Sequence, residues 1–170
     1  MRGPKGTAGT MVRLDQALST NGVIRSSREW THAAVYVGDG CVIDATYGQP
    51  IAERSLWDYC ERRAITVRRV RPSSTVTRQD IEDTANAVRG FLGLPYGTWD
   101  VIFDAIWPRS LPVRSRRSLY CSTLVEAAIA EATQLRLSSL PAHRPMYPAV
   151  LAGHPLLLGV PLEWRVPDGP

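Results

Sequence analysis

Lysine is almost missing: Lys5 is the single lysine among 20 basic residues, so the formal charge of +4 rests on arginine. The arginines cluster at Arg62-Arg63, Arg68-Arg69-Val70-Arg71 and Arg114-Ser115-Arg116-Arg117, but no cluster interleaves with aromatics as a base-stacking surface does, and no nucleic-acid partner is expected. Cysteine is scarce and odd in number. Cys41, Cys60 and Cys121 are without metal-ligand spacing, so neither a disulfide framework nor a zinc site is indicated, and a reducing compartment fits. Long apolar runs are also lacking. No window reaches about 18 uninterrupted apolar residues, so no integral membrane segment is expected. Arg2 and Lys5 are followed by no apolar signal core, so the expectation is a cytoplasmic protein, with delivery by a non-classical route left open.

What is present suits one α+β domain spanning 1–170: 170 residues with 44% hydrophobic content can bury one core, and two would be cramped. Residues 1–10, rich in Gly, Pro and Thr, are expected to be flexible. Met11-Val12-Arg13 reads as a strand start, and Leu14 to Leu18 as a helical turn closed by Asn21-Gly22.

The most informative stretch is Ser118 to Glu126. Cys121, Leu124, Val125 and Ala128 repeat at the spacing of one helix face, and Ala127 to Ala132 is strongly helix-forming, which puts Cys121 at a helix start. Free N–H groups and the dipole there favour a thiolate and a developing oxyanion. A buried structural cysteine is the alternative.

Trp30 to Val37, Gly38-Asp39-Gly40 and Cys41 to Thr46 read as a β-hairpin. With a three-residue loop, Val37 pairs with Cys41; Ala33, Val35, Val37, Cys41, Ile43 and Ala45 share an apolar face, and His32, Ala34, Tyr36, Val42, Asp44 and Thr46 share the other. A two-residue loop would put Asp44 among the apolar side chains. The longer loop sets Thr46 opposite His32 and Asp44 on its diagonal.

Pro50 to Glu61, with Leu56, Trp57 and Tyr59 at helical spacing, reads as a short helix over the sheet that holds a structural Cys60. Ala64 to Arg71 reads as a strand. Thr77-x-x-Asp80 caps an amphipathic helix with Ile81, Ala85, Val88, Phe91 and Leu92, stopped by Gly93 and Pro95. Val101 to Trp107 precedes a basic loop, Pro108 to Arg117, which is either a solvated connection or a positive rim beside Cys121. His143 and His154 sit in Pro-rich surroundings and are expected to be non-catalytic. Ala149 to Pro161 is expected to lie along the sheet edge.

Four segments in order, Thr31-His32 through Gly38-Asp39-Gly40, Val42-Ile43-Asp44-Ala45, Gly93-Leu94-Pro95-Tyr96 and Tyr120-Cys121-Ser122-Thr123-Leu124-Val125, resemble the circularly permuted NlpC-type papain-like superfamily. They are most similar to its YiiX/YebB-like bacterial proteins and more distantly to lecithin:retinol acyltransferase. The Gly-Asp-hydrophobic strand that opens the family pattern is replaced by Gly9-Thr10-Met11-Val12. The resemblance implies an α+β, circularly permuted papain-like domain, with the nucleophile helix packed against an antiparallel sheet. It further implies a cysteine hydrolase, without cofactor or metal, that cleaves an amide, thioester or ester bond through an acyl-enzyme. Cys121 would be the nucleophile, His32 the base and acid, Asp44 its orienting partner, and Tyr96, Tyr36 and Thr46 the oxyanion and substrate contacts. The expected partner is a small acyl, peptide or amide substrate, or a lipid. A lipid acyltransferase and a catalytically silent binding module are the alternatives.

Overall fold

In the computed structural model the described residues are 29–60, 65–73, 76–97, 119–137 and 146–161. The expectations placed on Gly9 to Gly22, on Val101 to Arg117 and on His143 lie outside them.

The hairpin consists of β1 (Ala34–Gly38) and β2 (Cys41–Asp44), with Ala34 opposite Asp44, Val35 opposite Ile43 and Tyr36 opposite Val42, the expected register. Its turn differs from expectation. Gly38, not Val37, faces Cys41, and the ladder is bulged between Tyr36 and Gly38. Asp39 and Gly40 both take positive φ, 49° and 73°, the conformation of the tight two-residue turn that matches strand twist. The residue left over becomes the bulge, so the pairing beyond it is unchanged and Asp44 keeps its face.

β3 (Ala52–Ser55) pairs antiparallel with the other edge of β2, from Cys41 opposite Ser55 to Asp44 opposite Ala52. Here the expected helix over Pro50 to Glu61 is corrected: among the described residues of that stretch only Trp57–Cys60 is helical, as α1. The β2 edge supplies main-chain partners that one more helical turn would leave unmet. Both edges of β2 are consequently paired, and both of its faces are covered as well. Val42 and Asp44, assigned to a polar face by alternation, are buried along with Ile43.

β4 (Val67–Val70) falls within the expected strand. α2 (Arg78–Arg89) begins at Thr77, whose N–H donates to Asp80 Oδ2 at 2.8 Å while the Asp80 N–H donates to Thr77 Oγ1 at 3.2 Å, the predicted reciprocal cap. It ends before Phe91 and Leu92, which lie in the following turn. α3 (Cys121–Thr133) opens on Cys121 and packs against α2 and β1. The tail does not run along the hairpin sheet. It forms α4 (Pro148–Gly153), with proline at its first position, and β5 (Leu157–Val160), which pairs with β4 in a separate two-stranded antiparallel sheet.

α3 is held from two sides. Leu124 and Ala128 join Ile43, Ala45, Ile51 and Val88 in one apolar cluster, while Ile129 joins Val70, Val76, Leu137, Met146 and Leu157 in another. Fully burying one such aliphatic side chain is worth about 1.5–3 kcal/mol, so displacing the start of α3 would disturb both clusters. The buried Ser122 hydroxyl adds a hydrogen bond to the Met146 carbonyl. The fold is α+β, and among the described residues no helix is long and apolar enough to cross a membrane.

Candidate active site

Cys121 occupies the first position of α3, and the turn before it is closed locally: the Tyr120 N–H donates to Thr123 Oγ1 at 3.0 Å, and that hydroxyl donates to the Tyr120 carbonyl at 2.9 Å. The cysteine is 8% exposed, buried among side chains without being sealed off. His32 sits two residues before β1, and Asp44 is the last residue of β2, so the antiparallel register that sets Ala34 against Asp44 also carries His32 to that carboxylate. Its Nε2 lies 2.8 Å from Asp44 Oδ2. The imidazole also hydrogen-bonds Cys121, using its remaining nitrogen, Nδ1, because Nε2 is engaged by the carboxylate. Asp44, His32 and Cys121 thus form a continuous chain.

Burial alone would lower the His32 pKa. The hydrogen bond to Asp44, then the hydrogen bond and charge of Cys121, outweigh it and raise His32 from 6.5 to about 9. Burial works against the Cys121 thiolate too. It is overcome by the hydrogen bond and positive charge of His32 and by the Ala33 and Ser122 main-chain N–H groups, and the thiol ends below its ordinary value. Raised imidazole and lowered thiol together favour a thiolate–imidazolium pair at neutral pH. The other two cysteines shift the opposite way, Cys41 through a hydrogen bond with Glu53 and Cys60 through burial.

Asp44 has no exposed surface, and its two oxygens serve four donors. Oδ2 takes His32, the Thr46 hydroxyl at 2.9 Å and the Tyr59 hydroxyl at 2.5 Å; Oδ1 takes Arg54 Nε at 2.8 Å. Burial pushes its pKa up, but the hydrogen bonds and charges of His32, Tyr59 and Arg54 hold it well below the usual carboxylate range.

The remaining sequence-selected residues separate. Thr46 is on the carboxylate. Tyr96 is zipped to the residues leading into Cys121 by a parallel bridge with Leu119 and by the Gly97 N–H donating to the Leu119 carbonyl at 3.0 Å. Its phenol pKa is pushed upward by burial and then by the charge of Cys121. Tyr36 stands apart, toward the turn: it is 54% exposed, and its hydroxyl accepts from the Gly40 N–H at 3.3 Å. His154 is buried between the Leu137 carbonyl, 3.0 Å from Nε2, and the Leu156 N–H, which donates to Nδ1 at 3.2 Å.

Three residues escaped the sequence reading. Tyr59 was legible only as part of a helical spacing, yet its ring also stacks on His32, with centroids 6.1 Å apart and planes 11° from parallel. Arg54 was hidden by the helix expected there. Read as a strand, the segment sets Arg54 opposite Val42, one diagonal step from Asp44. Tyr47, exposed in the turn after Thr46, meets Tyr96 edge-on at 5.7 Å, and nothing in its local sequence marks it. Among the described residues no group of three or more His, Cys, Asp or Glu could hold a metal ion.

The chain matches the family model described as permuted papain-like amidase enzyme, YaeF/YiiX, C92 family, over residues 8–148. No curated protein and no solved structure matches it.

Proposed function

The chain belongs to the permuted papain-like amidase family, and from that premise we propose that it is a cysteine amidase in which Cys121, His32 and Asp44 form the catalytic triad. In the resting enzyme the proton of Cys121 already resides on His32. The thiolate attacks the amide carbonyl carbon, and the Cys121 main-chain N–H and the Tyr96 hydroxyl hold the resulting oxyanion at the positive end of α3. His32 Nδ1 donates its proton to the leaving nitrogen as the C–N bond breaks, which leaves a thioester on Cys121 and a neutral imidazole. Water then attacks the thioester, giving its proton to Nδ1, and the carboxylic acid departs as the thiolate reforms. Throughout, Asp44 keeps Nε2 protonated and steadies the imidazolium.

The observation that carries this reading is the unbroken chain from Asp44 through His32 to Cys121, with the imidazole pKa raised and the thiol lowered. Among the reactions open to such a pair, the family favours hydrolysis of an amide over acyl transfer to a lipid. Mixing the enzyme with a p-nitrophenyl acyl ester should give a burst of nitrophenol and an acyl mass increase on Cys121, both absent in Cys121→Ala. His32→Ala should slow the burst by about 10²–10⁴-fold. Equal reaction of wild type and Cys121→Ala would leave a binding module as the better description.

A further inference from the structure

The buried carboxylate is served by more donors than an orienting role requires. Two of them, the Tyr59 hydroxyl and Arg54 Nε, come from β3 and the α1 turn behind it, and both residues have a second hold. Tyr59 stacks on the His32 ring, and Arg54 Nη2 donates to Gln49 Oε1 at 2.6 Å. A carboxylate divides its charge among its donors, so what Arg54 and Tyr59 draw off is withheld from the imidazolium. Building on the triad reading, we propose that Arg54 and Tyr59 are positioning residues that act through Asp44, fixing the plane of His32 and limiting how tightly it retains its proton, so that the proton can pass to a leaving amine.

Direction separates this from a merely structural role. If Arg54 and Tyr59 only held Asp44 in place, removing either would misplace the carboxylate and His32 would give up its proton more easily. If they temper Asp44, removing either leaves more negative charge for the imidazolium, and His32 holds its proton more firmly. Among the described residues, the titratable groups recorded against His32 are Asp44 on β2, Tyr59 on α1 and Cys121 on α3, and Arg54 on β3 reaches it across Asp44.

The test is an NMR titration of 13C/15N-histidine-labelled protein, in which His32 is one of three histidines to resolve. In wild type the His32 ring should titrate near 9 as the Nε2–H tautomer. In Arg54→Gln the midpoint should move up by about one unit, a tenfold gain in proton affinity. Tyr59→Phe, which keeps the ring stack and removes one donor, should move it up by less, and Arg54→Lys should leave it within a few tenths of a unit of wild type. Loss of folding in Arg54→Gln, seen by circular dichroism, would pass the decision to Tyr59→Phe. A downward or absent shift in the folded variants overturns the tempering role while leaving the triad intact. A wild-type midpoint near 6.5 would instead remove the ion pair on which the triad reading rests.

Discussion

Replacing Asp44 by Asn tests both the packing and the chemistry of this centre. The side chains have the same shape, but an amide presents one donor face where the carboxylate presents two acceptors. The less costly orientation leaves the amide oxygen toward His32, Thr46 and Tyr59 and turns the NH2 against Arg54 Nε, setting donor against donor. One charge-assisted hydrogen bond is then lost outright, at about 1.5–3 kcal/mol, and three others weaken as their acceptor becomes neutral. Arg54 is 26% exposed and can partly rehydrate, which keeps the net cost to about 2–4 kcal/mol. That is a large share of the roughly 5–15 kcal/mol available to a domain. The chemical cost is separate. Raising His32 from 6.5 to about 9 represents about 3 kcal/mol of preference for the imidazolium, shared between Asp44 and Cys121, and without the carboxylate burial pulls the value back down. Amidase kcat/KM at pH 7 should fall about 10²-fold. Urea denaturation and hydrolysis of a chromogenic amide measure the two effects. Asp44 is depressed in the folded state, so its stabilisation is present above the unfolded value near 4 and lost as pH falls through the folded one; the stability gap between wild type and Asp44→Asn should therefore narrow below about pH 4. A variant with the wild-type urea midpoint and activity within threefold would refute the account of Asp44 as both a structural hub and the partner of His32.

The thiolate–imidazolium pair has its own pH signature. His32 is raised, so its contribution is complete below about 6.5 and lost as pH rises through about 9; Cys121 is lowered, so its contribution is complete above about 8.5 and lost as pH falls through its folded value. The two slopes oppose each other below about pH 8.5, down to the folded value of Cys121, which flattens the profile there, and the stability difference between wild type and His32→Gln should shrink between pH 7.5 and pH 10 in urea melts. At pH 6 iodoacetamide should label Cys121 at least about tenfold faster than Cys41 or Cys60, because only Cys121 is shifted toward thiolate. Peptide mass spectrometry reads the order, and equal rates would remove the argument for activation.

Much of this centre could be read from local chemistry. The apolar spacing of Cys121, Leu124 and Ala128 puts the cysteine at a helix start because helical periodicity is local, and Leu124 and Ala128 are indeed fully buried. Alternation along Ala33 to Ala45 specifies the pairing of Ala34 with Asp44, because any register shifted by one would reverse every side chain of β2. The Thr77–Asp80 cap is likewise written in four residues. Alternation says nothing, however, about what covers the second face of a strand, and so Asp44 was expected on an open polar surface rather than beneath Arg54 and Tyr59. Those two reach it only because β3, a segment whose own spacing favoured helix, takes the free edge of β2. The meeting of His32 with Cys121 spans about ninety residues of sequence. It depends on α3 being wedged between two apolar clusters, and the opposed pKa shifts of the pair exist because the fold brings the two side chains together, where their hydrogen bond and opposite charges outweigh burial.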